Sequence, residues 1–207
     1  MTWTWTDTRD FLRSRNAVLA HFSTVMSSHD HVYPEDLKSA RDNTEWTLSF
    51  STVQPGDTLR YHQGGKGGVQ GSVGLIVGIT SETIVHSVFP GDAGAMGTMA
   101  LGDPPSLVVC SDSIDKRDDY NEWRVSRFRP VGILVVGPPF MVRKLIHYPE
   151  LAEIDPSAAW SKEELPIDLA SIVSDFNGMR IFRACKHSFC ELIDSGWRDV
   201  SVAEMTV

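Results

Sequence analysis

No stretch of this sequence approaches the ~20 apolar residues that a membrane helix needs, and its opening, Met-Thr-Trp-Thr-Trp-Thr-Asp, lacks a basic segment followed by an apolar one. The expectation is a cytoplasmic protein with no membrane partner, although delivery into another cell by a route that leaves no such address fits the same sequence. Cysteine is scarce: Cys110, Cys185 and Cys190 are the three among 207 residues. A small, odd set argues against a disulfide framework and for free thiols in a reducing compartment. Positive charge is in deficit, with 19 Lys and Arg against 27 Asp and Glu and a net charge of −8. That balance argues against broad electrostatic binding to nucleic acid, which is built from clustered cations. There is also no internal repeat or low-complexity tract.

What is present is a series of short apolar or alternating segments. Asn16 to Ser23 places Val18, Ala20 and Phe22 on one side and Leu19, His21 and Ser23 on the other, the period of a strand. Trp46 to Ser51 alternates in the same way, with Ser49 and Ser51 on its polar side. Ser72 to Ile79 and Thr83 to Phe89, separated by Thr80-Ser81-Glu82, read as a buried hairpin. Ser106 to Cys110, Glu122 to Val125 and Val131 to Val136 read as further strands, the last ended by Gly137-Pro138-Pro139. Helices are predicted from Asp7 or Thr8 to about Arg15, and from Pro34 onward, where Glu35 and Asp36 suit the positive end of the helix dipole. Phe140 to Leu151 and Ser161 to Phe176 also read as helices, the second from Ser161 and Glu164 as a capping box, while Met179 to Arg183 and the segment around Trp197 to Val202 suit strands or an ordered tail. Gly64 to Gly71 and Gly91 to Pro105 read as long loops. The fold class is therefore α+β: one domain over residues 1–207, with a split, mainly antiparallel β-core at 16–136, flanking helices, and a helical C-terminal elaboration at 137–207.

Polar residues on three of these strands stand in the order His21, then Ser49 and Ser51, then Glu122. Brought to one cleft, a carboxylate would stabilise an oxocarbenium-like centre while the His and Ser groups orient sugar hydroxyls. Each also has a structural alternative: a strand His satisfied by a hydrogen bond, solvent-facing serines, and Glu122 paired with Arg124 or Arg127. Through the segments Ala17 to Thr24, Leu48 to Thr52, and Asn121 to Val125 followed by Arg129 to Leu134, the chain resembles the ADP-ribosyltransferase fold. The resemblance implies NAD as cofactor, His21 on an NAD ribose, Ser49 or Ser51 beside the nicotinamide, and Glu122 as the catalytic carboxylate. It also implies a toxin or effector that modifies a protein or nucleic-acid acceptor. Tyr120 stands where protein-modifying members often carry Glu or Gln, so the acceptor stays open.

A second resemblance lies in Trp46, Pro55 to Tyr61, Gly71 to Gly78, and Pro139-Phe140 to Pro149-Glu150-Leu151, which look like the PUA-like barrels that include EVE and YTH modules. That likeness implies binding of a modified base in RNA or DNA, with Trp46, Tyr61 and Trp123 as the flat faces of a cage. Other signals lead nowhere. Gly64 to Gly71 lacks the Gly-Lys-Ser/Thr ending of a phosphate loop. Cys185, His187 and Cys190 fall one short of a closed zinc site, so no metal is expected. Circularly permuted papain-like hydrolases place a His where this chain has Ser72, which removes their usual base.

Overall fold

The structure is a computed structural model and describes residues 2–23, 32–59, 68–69, 71–91, 103–116, 120–156 and 159–206. Helix α1 (Trp5–Ser14) begins one turn earlier than the sequence suggests, because Thr4 caps it and Asp7 closes a capping box back onto Thr4. It leads into β1 (Val18–Phe22), α2 (Glu35–Asp42) and β2 (Leu48–Val53). The short β3 (Thr58–Leu59) pairs in parallel with β4 (Gly68–Val69). Then follow β5 (Val73–Gly78), β6 (Ile84–Phe89), α3 (Leu107–Asp115), β7 (Glu122–Ser126) and β8 (Arg129–Val135). The remainder runs β9 (Phe140–His147), α4 (Pro149–Ala152), β10 (Trp160–Ile167), α5 (Leu169–Asp175), β11 (Arg180–Ala184), β12 (Phe189–Ile193), β13 (Gly196–Val200) and α6 (Val202–Met205).

Nine strands form one sheet in the order β13-β12-β11-β8-β5-β1-β2-β7-β6, antiparallel except for the β8–β11 pair. Strand β2 serves two neighbours in succession: Ser51 to Val53 pair with β1 and Leu48 to Phe50 with β7. A strand that changes partner along its length turns a corner in the sheet.

The sheet also curls. Strands β2 and β11 are four positions apart, roughly 19 Å across a flat sheet at the usual strand spacing. Gly56 lies only three residues beyond β2, a reach of roughly 10 Å at most. Its N–H nevertheless donates to the carbonyl of Cys185, just past the end of β11, at 2.8 Å. Only a sheet rolled onto itself brings these groups together. Its inner face holds Val18, Ala20, Phe22, Val53, Ile76, Leu134, Val136, Phe182 and Phe189, closed off by Val200, Val202 and Met205. Its outer face, with Leu19, Phe50, Leu75, Trp123, Val125 and Ile133, is covered by apolar residues of α1, α2, α3 and α5.

Five expectations are corrected. Ser106 to Cys110 is the start of helix α3, where the Ser106 hydroxyl caps Val109 N–H; a short apolar run does not by itself separate helix from strand. The segments around β5 and β6 are not a hairpin: β5 lies between β1 and β8, whereas β6 pairs with β7 at the sheet edge. The Thr83 hydroxyl ties that turn to Arg127 O, between β7 and β8, and so carries β6 away from β5. Phe140 to Leu151 is mostly strand and pairs through eight positions with Trp160 to Ile167. The Ser161 capping box is absent because the exposed–intermediate alternation of that segment is a strand's, and Pro166 would break a helix there. The helix that does form, α5, is capped by Asp168. The C-terminal third is therefore not a helical elaboration, since β11, β12 and β13 extend the main sheet itself.

In this added sheet, Glu191 on β12 accepts from Arg180 Nε on β11 and from an Arg198 guanidinium nitrogen on β13, both at 2.7 Å, with only 10% of its side chain exposed. The Arg180 hydrogen bond, aided by Arg198, holds its carboxyl below the ordinary glutamate range against the opposing effect of burial. A depressed carboxylate stabilises the fold above the unfolded-state pKa and loses that contribution as pH falls through the folded one. The melting temperature of the wild type is therefore expected to fall more steeply on acidification below the ordinary carboxylate range than that of Glu191→Gln; parallel curves would remove Glu191 as a source of acid sensitivity.

Candidate functional site

The three-stranded end of the sheet, β2–β7–β6, has one apolar and one polar side. On β7, Trp123 and Val125 point into the outer cluster, so Glu122 and Arg124 project from the opposite side. On β2, Phe50 joins the outer cluster and Val53 the inner one, which puts Ser49 and Ser51 on the same side as Glu122. The register confirms the neighbourhood: Ser49 lies opposite Arg124 and Phe50 opposite Trp123. Across this diagonal the Ser49 hydroxyl donates to Glu122 Oε1 at 2.6 Å. Ser49 is exposed and Glu122 half-buried, whereas Ser51 is buried.

His21 is elsewhere. It shares its side of β1 with Leu19, in the outer cluster, and its ring meets Phe50 edge-on with centroids 5.7 Å apart. Its Nδ1 lies 2.7 Å from the carbonyl oxygen of Ser49, a contact with backbone and not with the hydroxyl. The structure thus brings Ser49 and Glu122 together and sets His21 on the opposite side of the strands that carry them. The suggested pairing of Glu122 with Arg124 or Arg127 gives way to Ser49, and Arg127 instead pairs with Glu45 at 3.1 Å.

Of the three candidate cage aromatics, burial settles one. Trp123 is fully buried; it stacks on Phe11 and its Nε1 donates to Ser113 Oγ, so it is core. Tyr61 falls outside the described residues, as do residues 64–67 and 70 of one long loop and 92–102 of the other. Trp46, two residues before β2, is 55% exposed. Beside it the Thr47 hydroxyl approaches His86 Nε2 at 3.4 Å, and the same nitrogen lies 2.8 Å from Ser126 Oγ. His86 and Ser126 were not foreseen. A bulge between Val85 and Ser87 turns His86 toward Ser126, and bulges leave no mark in hydrophobic periodicity.

The polar side therefore carries a carboxylate, a guanidinium, an imidazole and several hydroxyls, and the exposed Trp46 precedes β2 in the chain. Ser72, which stands where the permuted papain-like hydrolases carry a His, is buried; its hydroxyl accepts from Met141 N–H at 2.9 Å, and its carbonyl accepts from Val136 N–H. Among the described residues no group of three or more His, Cys, Asp or Glu side chains is placed to hold a metal. Among them, too, no helix is long and apolar enough to cross a membrane. Compared with known proteins, the chain matches no family model, no curated protein and no solved structure.

Proposed function

We propose that this chain is a PUA-like module of the EVE and YTH kind that binds a single modified base of RNA or DNA on the polar side of β2–β7–β6. The observation that carries the reading is the exposed Trp46 at the head of a strand whose Ser49 hydroxyl orients the Glu122 carboxylate. An indole gives a flat face for stacking, and a fixed carboxylate accepts from exocyclic amino or ring N–H groups on a base edge. Arg124, opposite Ser49, supplies a donor for carbonyl oxygens. The rolled sheet closed at Gly56 and Cys185 suits a barrel-like module. A net charge of −8 suits capture of one base more than a grip on the backbone.

The test is a fluorescence titration with short oligonucleotides carrying methylated or unmodified bases. Wild type is expected to prefer a methylated member of the panel. Trp46→Ala is expected to weaken that binding by about tenfold or more, given about 1–3 kcal/mol per stacked base, with an unchanged melting temperature. Failure to bind any member, or equal binding by Trp46→Ala, rejects the reading.

One observation favours a second reading. The Ser49–Glu122 hydrogen bond is the contact that NAD-dependent ADP-ribosyl transfer would use to orient its carboxylate, and a toxin or effector role belongs to that reading alone. The place of His21 across the sheet tells against it as the ribose anchor. Nicotinamide release from NAD that disappears in Glu122→Gln would support transfer, and its absence in the wild type would remove it.

A further inference from the structure

We propose that Cys185 and Cys190 form a redox-active thiol pair that closes to an intramolecular disulfide by exchange with a low-molecular-weight disulfide. The two residues flank the tight turn between β11 and β12, where Cys185 N–H donates to Ser188 O at 2.9 Å and Arg183 pairs with Cys190. Their sulfurs are 2.7 Å apart as free thiols. Unbonded carbon atoms, which are smaller than sulfur, sit about 3.5–4.0 Å apart, and a disulfide needs about 2.05 Å. Closure thus asks for a small side-chain rotation and no change of strand register.

The two thiols are unequal in the way that exchange requires. Cys185 is half-buried and open to an incoming disulfide, whereas Cys190 is buried. The Cys190 thiol, pushed up to about 12 chiefly by burial and then by its hydrogen bonds to Cys185 and Asp199, is held protonated. Its sulfur donates to Asp199 Oδ1 at 3.4 Å, the same oxygen that accepts from Ser188 Oγ at 2.8 Å. In the first step the Cys185 thiolate attacks one sulfur of the small disulfide, forming a mixed disulfide and expelling one small thiolate. In the second, the Cys190 sulfur attacks the Cys185 sulfur and gives up its proton to solvent, expelling the second thiolate. The protein thiols lose two electrons and two protons, and the small disulfide becomes two thiols.

The position gives the chemistry a mechanical outlet. The Cys185 carbonyl accepts the Gly56 N–H that closes the rolled sheet, and Cys185 and Lys186 form one lip of a cavity of about 300 Å³ whose other walls are Gly56, Thr58, Val136 and Pro138. A disulfide there tethers that lip to β12. Cys110 is the built-in control. It is fully buried on α3 and its thiol is pushed up to about 12 by burial.

The experiment is a thiol count on native full-length protein held with either a reductant or oxidised glutathione, acid-quenched, denatured, labelled with a maleimide and weighed intact. The reduced protein is expected to take three labels, one per free cysteine, and the oxidised protein one, with peptide mapping placing that label on Cys110 and joining Cys185 to Cys190. Cys190→Ser is expected to retain a glutathione adduct at Cys185 under the same treatment. The wild-type count and map decide the matter even if a serine variant fails to fold. Three labels after oxidation, a persistent glutathione adduct on wild-type Cys185, or a disulfide between two chains would each overturn the proposal.

Discussion

Trp123→Ala is expected to cost about 3–5 kcal/mol, the range for deleting a large buried aromatic, and to lower the melting temperature by roughly 10 °C for a domain of this size. Three contributions combine. The indole is fully buried in the outer cluster, so its removal leaves a cavity between α1 and the β2–β7–β6 strands. It stacks on Phe11 of α1 with centroids 6.2 Å apart, and that packing helps hold the helix to the sheet. Its Nε1 donates to Ser113 Oγ, which itself donates to Cys110 O, linking α3 to the same centre. The neighbouring Asn121 adds to this anchoring: fully buried, it donates to Ser113 O at 2.7 Å while its Oδ1 accepts from Thr52 N–H at 2.8 Å. Trp123→Phe keeps most of the volume and is expected to lose less than half as much. Since total stabilities run about 5–15 kcal/mol, the alanine variant should sit close to unfolding at room temperature in mild urea. A midpoint within error of the wild type would show that Trp123 is not the keystone of the outer cluster.

Gly132→Ala should be the next most damaging change, by about 1–3 kcal/mol, the usual range for forcing an extra carbon into a packed interior. Gly132 sits at the middle of β8 opposite Ile76 of β5 on one side and Arg180 of β11 on the other. A Cβ there would lie 2.6 Å from the Arg180 carbonyl oxygen and 2.6 Å from a carbon of the Phe182 ring. The first of these is backbone and cannot swing aside, so the parallel β8–β11 pair must separate. The loss should appear as a lower urea midpoint together with faster amide exchange on β11. Gly91→Ala is the matched control, because a Cβ at that position meets nothing within 4 Å. Equal midpoints for the two variants would contradict the packing described for β8.

The fate of individual segments shows what was legible in the sequence. Val18–Phe22, Glu122–Ser126 and the Pro34-led helix α2 lie where periodicity and the helix dipole place them. These are local signals, each a statement about one element and its own two sides. Leu107–Asp115 and the β9–β10 hairpin were misread because short apolar runs and an isolated Ser-x-x-Glu pattern suit more than one local structure, and tertiary pairing chooses among them. The candidate site was legible as a set of residue types but not as a geometry. Ser49 and Glu122 meet because the β2–β7 register puts them on one diagonal, and His21 does not join them because the β1–β2 register aligns it with Phe50.

By itself, then, the amino-acid sequence determined which segments have two unlike sides, the scarcity of cysteine and the excess of negative charge. Tertiary structure alone decided that β5 and β6, consecutive in the chain, lie in different parts of the sheet, that β11–β13 belong to it, and that Cys185 faces Gly56 across its closing seam. The physical reason is that alternation reports a strand's sides but not its neighbours. Register and partner are set by the long-range burial of both faces of the rolled sheet, where a slip of one residue would exchange every inward and outward side chain.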